Sequence, residues 1–169
     1  MYTEHKNKAK KERPAKVFDE KALRHKSIEL LARREYSYAE LEKKLLVLSD
    51  DDVTIHRILE WLIEMELQSD TRFSKMFLRS KAVGGYGPVR IKLELKAKGI
   101  HEFLIENTFA ELAFDWDEEV DRLIIKKVKA ASLDDMKLKS KVMGYLQRRG
   151  YTLNQIYSGF DRFTQDVSV

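Results

Sequence analysis

The sequence predicts an all-α fold built from three variants of one small helical unit, and three observations carry that prediction. The composition is 43% hydrophobic and 36% charged with only 7 Gly and 2 Pro in 169 residues, which suits helices that bury one stripe and present a charged outer face. Apolar residues recur at helical spacing. A short segment near residue 31 also recurs near residue 146, with a third copy between them.

Taken in order, residues 1–18 are a polar basic arm with Pro14 and no apolar periodicity, expected to be disordered in isolation. About nine helices follow, over 20–35, 38–48, 52–66, 71–82, 88–98, 101–113, 117–130, 136–149 and 153–163. The third is the clearest, because Ile55, Ile58, Leu59, Leu62 and Ile63 form one apolar stripe after the acidic turn Asp50, Asp51, Asp52. Gly99 and Gly150 follow basic last turns and are expected to stop helices, while Asp70 and Asp117 stand where N-caps are expected.

The internal repeat is the most informative feature. Leu31 to Leu41 lies over Leu146 to Ile156 without a gap, at an offset of 115 residues. Ser37 with Glu40, and Thr152 with Gln155, are capping boxes in register: the hydroxyl accepts from a backbone N–H and the longer side chain reaches back. Tyr86, Gly87 and Pro88 supply the middle copy, with Gly87 in the N-cap column and Pro88 at the first helical position, where its missing N–H costs nothing.

Several function classes are disfavoured. No apolar run approaches the roughly 20 residues of a membrane span, and the N-terminus lacks the apolar core of a signal peptide, so a cytoplasmic protein without membrane contact is expected. The absence of Cys removes disulfide scaffolds, thiol nucleophiles and thiolate metal sites. The Gly84 to Gly87 loop lacks the Gly-Lys-Ser/Thr ending of a phosphate cradle and reads as a helix-to-helix turn. The acidic cluster Asp115, Asp117, Glu118, Glu119 and Asp121 has no accompanying base or nucleophile and reads as an acidic helix start. His5, His25, His56 and His101 have no ligand spacing. No catalytic residue, metal or cofactor is therefore expected.

Basic residues are the better candidates. The arm holds Lys6, Lys8, Lys10, Lys11, Arg13 and Lys16 against Glu4 and Glu12, which accounts for the whole net charge of +4 and suits phosphate contact with DNA. In the body, residues 71–101 hold eight Lys or Arg against Glu94, residues 102–121 hold eight acids and no base, and residues 122–149 hold nine bases against two acids. Such blocks can orient a charged partner or pair with one another. Arg33 and Arg34 share one position of the repeat with Arg148 and Arg149, and Arg79 and Lys81 stand near it in the middle copy. Arg90 and Lys92 follow on the next helix. Tyr36, Tyr86 and Tyr151 recur beside these bases, either as plugs of inter-helix corners or as contact residues.

At these residues the chain resembles the RecX family, regulators of the bacterial recombinase RecA. The carrying segments are Leu31 to Ser37 with Glu40, Leu41 and Leu45; Asp70 to Ser74; Gly85 to Ile100; and Leu146 to Tyr151, within a match over about residues 20–163. The most specific is the central Gly-Pro helix start followed by Arg-Ile, Glu-Leu and Lys-Gly-Ile. The resemblance implies an elongated array of three tandem three-helix repeats, helix-turn-helix-like in form, over residues 19–69, 70–114 and 115–169. It further implies a monomer that lies in the groove of the RecA filament on DNA and slows ATP hydrolysis, strand exchange and RecA-stimulated repressor cleavage, so modulating recombination, DNA repair and the SOS response. Weak contact with single- or double-stranded DNA is implied for some members. Ser74 stands where Ala is common in the family, and the arm lies outside the shared pattern. The competing readings are a helix-turn-helix transcriptional regulator, which would normally offer one recognition helix and a dimer interface, and a phosphoryl-transfer or nuclease enzyme whose acidic cluster binds a metal.

Overall fold

The computed structural model describes residues 18–128 and 136–167. Among the described residues the chain is all-helical: α1 (Glu20–Leu31), α2 (Tyr38–Leu45), α3 (Asp52–Glu64), α4 (Asp70–Val83), α5 (Pro88–Ala97), α6 (Glu102–Leu112), α7 (Trp116–Val128), α8 (Met136–Arg149) and α9 (Leu153–Val167). The six bases of the arm, and the last two residues of the helix predicted over 117–130, lie outside the described residues.

Three cores organise these helices into three units. α1 packs on α3, α4 on α6 and α7 on α9, and α2, α5 and α8 each close their own unit. The first core is built on Leu23, Leu41, Ile55, Ile58 and Leu62. The second uses Phe73, Leu78, Ile91, Leu95 and Ile105, and the third Val120, Ile124, Leu146, Ile156 and Phe160. Each fully buried side chain of this kind contributes about 1.5–3 kcal/mol, so each unit carries its own hydrophobic driving force. Trp116 packs against both the second and the third core, joining them at the start of α7. The architecture is the predicted all-α array of three-helix repeats.

Helix ends differ from expectation by local chemistry. α1 stops at Leu31 because the N–H groups of Arg33 and Arg34 both fold back onto the Leu30 carbonyl, at 3.1 and 3.4 Å. α3 stops where Glu66 takes φ of 55°, so that Leu67 N–H returns to the Leu62 carbonyl at 2.9 Å. Gly99 and Gly150, with φ of 81° and 92°, end α5 and α8 in the same way. The N–H of the residue after each glycine bonds a carbonyl five residues back.

Two N-caps are corrected. Ser69 caps α4 through its hydroxyl, and Asp115, whose Oδ1 accepts from Asp117 N–H at 3.1 Å and Glu118 N–H at 3.0 Å, caps α7. Asp70 caps a different helix, accepting from the Tyr38 N–H at the start of α2 at 2.8 Å.

The third copy of the repeat is also out of phase. Ser37 and Gly87 open α2 and α5, the middle helices of their units, whereas Thr152 opens α9, the last helix of its unit. Arg148 and Arg149 thus lie one helix further along their unit than Arg33 and Arg34. Thr152 and Gln155 form the complete capping box, exchanging bonds of 2.9 and 3.2 Å. In the first copy Ser37 caps Glu40 N–H at 3.2 Å, but the Glu40 carboxylate is directed mainly at Lys98 and Arg34.

Candidate functional site

Four of the predicted basic residues, Arg34, Lys81, Arg90 and Arg149, gather around two joints where units meet end to end. At the first, the start of α2 meets the end of α5. Ser37 Oγ donates to the Lys98 carbonyl at 2.7 Å, Lys98 Nζ bonds Glu40, and a methyl on Gly99 would fall 2.5 Å from the Ala39 Cβ. At the second, the start of α5 meets the end of α8. Gly87 N–H donates to the Arg149 carbonyl at 2.7 Å and Val89 N–H to the Gly150 carbonyl at 3.1 Å. At the second joint two of the N–H groups left unpaired at the start of α5 are thus met by carbonyls at the end of α8, a helix of the next unit. A Cβ on Gly87 would lie 2.5 Å from the Gly150 carbonyl group, so the backbones touch.

Around the second joint, Tyr86 is ringed by three cations. Arg149 stands 4.5 Å, Arg90 4.7 Å and Lys81 4.8 Å from its ring centroid. Arg149 also donates to the Gly84 carbonyl at 2.7 Å, and Arg90 to the Arg148 carbonyl at 3.2 Å. Glu94 balances this cluster with Arg90 at 2.8 Å and Lys81 at 2.5 Å. Burial pushes the Glu94 carboxyl up, but the hydrogen bonds and charges of Arg90 and Lys81 outweigh it and hold it below its ordinary value. Glu40 at the first joint behaves alike: burial raises it, and Lys98 and Arg34 pull it down further.

The sequence candidates therefore divide by partner. Lys81, Arg90 and Arg149 hold the second joint; Arg34 stacks 3.6 Å above the buried Tyr36 and pairs with Glu40. Lys92 pairs with Glu106 at 2.6 Å, and the exposed Arg33 with Glu29. Arg79 and the Arg148 side chain are exposed and make no hydrogen bond or ion pair among the described residues. Tyr36 and Tyr151 are buried corner plugs.

Arg148 belongs to a groove that composition alone did not reveal. Lys127 of α7, 4.4 Å over the Tyr145 ring, lies with Lys141, Tyr145 and Arg148 of α8 around a space of about 270 Å³ that Leu138 and Val142 also line, with no acid in the lining among the described residues. The helical spacing of Lys141, Tyr145 and Arg148 is a visible signal in the sequence, but the opposing Lys127 is not. The acidic cluster is occupied locally: Arg162 pairs with Asp121 at 2.7 Å and with Asp117 at 3.6 Å, and Arg122 pairs with Glu119 at 2.6 Å. Among the described residues no group of three or more His, Asp or Glu is placed to hold a metal ion, and no helix is long and apolar enough to cross a membrane.

Comparison with known proteins places this geometry. Residues 69–108 match the family model described as the second three-helix domain of RecX, and residues 117–158 match that of its third. The regulatory protein RecX of Halorhodospira halophila is 33% identical over 135 residues, covering 80% of this chain and 84% of that protein. The chain belongs to the RecX family. RecX of Pseudomonas savastanoi pv. phaseolicola is 35% identical over 135 residues, covering 80% of this chain and 87% of its own length. The crystal structure of RecX from Lactobacillus salivarius shares the fold, with a TM-score of 0.76, 23% identity, and coverage of 86% of this chain and 97% of that one. The protein is thus a regulator in the RecX family.

Proposed function

We propose that the protein docks in the groove of the RecA nucleoprotein filament and suppresses ATP hydrolysis, strand exchange and repressor co-cleavage. Family membership supports RecA as the partner. The observation that carries the docking mode is the presence of outward bases that make no ion pair among the described residues on separate units, Arg79 on α4 and Arg148 with Lys127 and Lys141 at the α7–α8 groove. A ligand that spans several protomers gains avidity from each unit, because later contacts form intramolecularly.

Arg79 and Arg148 are the cleanest pair to test, since Arg90 and Arg149 hold the second joint and their loss would disturb the fold. The double reversal Arg79→Glu with Arg148→Glu is expected to weaken inhibition of RecA ATP hydrolysis about tenfold or more, while each single change costs only a fewfold. Circular dichroism should show the helices unchanged. A folded double variant that inhibits at wild-type concentration would place the contact elsewhere.

A further inference from the structure

We infer that the groove between α1 and α2 is a docking site for an acidic peptide segment with apolar anchors, presented by a protein partner. The groove encloses about 560 Å³ and is lined by Leu30, Val47 and Leu48, with Lys43 and Lys44 beside them and Lys26, paired with Glu29 at 2.9 Å, on the α1 side. Among the described residues Glu40 is the one acid of its lining, and that carboxylate is already neutralised by Lys98 and Arg34. The rim therefore acts as positive.

Val47 is the telling residue, because it is 82% exposed in the turn after α2 while Leu46 beside it is 43% exposed. A contiguous exposed apolar patch with a polar rim is the form that interaction sites take. Lys43 makes no hydrogen bond or ion pair among the described residues, and Lys44 contacts only the Tyr36 ring, at 5.6 Å. Both are available to carboxylates.

Charge complementarity selects the occupant. The basic arm that precedes Phe18 has the wrong sign to fill the groove, although Phe18 N–H bonds the Leu48 carbonyl at its edge, at 3.3 Å. A flat anionic lipid surface could meet the lysines but not enter a concavity. An acidic segment with two apolar side chains one helical turn apart satisfies both floor and rim. The groove lies on the first unit, apart from Arg79 and the α7–α8 groove, so this inference and the RecA docking mode fail separately.

The test uses the full chain and fluorescence anisotropy of a short labelled peptide rich in Asp and Glu with two Leu anchors one turn apart. Saturable binding is expected, weakened about tenfold by Lys43→Glu with Lys44→Glu, by Val47→Asp, and by replacing the anchors with Gly. Val47→Asp alters only an exposed side chain, so it decides the matter even where the lysine reversal disturbs α2. Absence of saturable binding, indifference to all three changes, or undiminished binding of the anchorless peptide would overturn the inference. So would tighter, Val47-dependent binding of anionic vesicles or oligothymidylate, or a Val47-dependent dimer of the chain.

Discussion

Tyr151 is buried at the start of the α8 to α9 connection, and its hydroxyl has no hydrogen-bond partner among the described residues. Burial pushes its pKa up to about 12, with the Glu119 charge adding to the effect. A raised value means that the fold favours the neutral phenol. The associated stability is complete below the ordinary tyrosine value of 10.0 and is lost as pH rises through about 12. Tyr151→Phe keeps the ring and removes the unpartnered hydroxyl. It is expected to hold or raise stability by about 1 kcal/mol and to shift alkaline unfolding to higher pH. Urea denaturation at neutral pH and a pH titration by circular dichroism check both; a loss of stability at neutral pH would reveal a hydrogen bond to Tyr151. Aromatic recurrence made this residue legible in the sequence, but its burial among Glu119, Arg122 and Arg149 depends on packing of α7 against α8 and α9.

At the scale of elements, the joints depend on glycines that leave no room for a side chain. Gly150 has φ of 92°, and an added Cβ would come within 2.4 Å of the Arg90 Cβ. Gly150→Ala is expected to destabilise by about 2–5 kcal/mol, the sum of a left-handed backbone penalty and overpacking. Gly144→Ala is the control. Inside α8 its Cβ would meet only the mobile tip of Arg148, and gaining a helix-favouring residue should stabilise by about 0.5–1 kcal/mol. Opposite signs in urea midpoints would establish the joint; equal effects would dissolve it. Sequence reading found both the Gly99 and Gly150 stops, because a left-handed helix end has a local signature. It missed what those glycines touch, since Ala39 and Arg90 arrive from other units. Asp70 was misread for the same reason: its partner, the Tyr38 N–H, is 32 residues away. The pairing of bases with Glu94 and Glu40 was equally hidden, so the division into joint-holding and outward arginines needed the structure.

At the scale of the whole molecule, three cores joined end to end make an extended body. Its radius of gyration should clearly exceed the roughly 15 Å of a compact domain of this length. Small-angle scattering checks this, and a sphere-like profile would contradict the array. The fold class was legible because each unit repeats the same helical stripe and the same helix-stop chemistry. The phase of the third copy was not, because a capped helix start looks alike whether it opens the second or the third helix of its unit.

The end-to-end joints also make α5 a spacer rod. Its N-terminal end bears on α8 and its C-terminal end on α2, so the first and third units are held apart by one helix of 10 residues. At about 1.5 Å per residue that rod is about 15 Å long, and each residue added or removed would turn its two ends by about 100° relative to each other. The gauge between the outer units is therefore set by one short count of residues. Any partner that reads the outer units together also reads the length of α5.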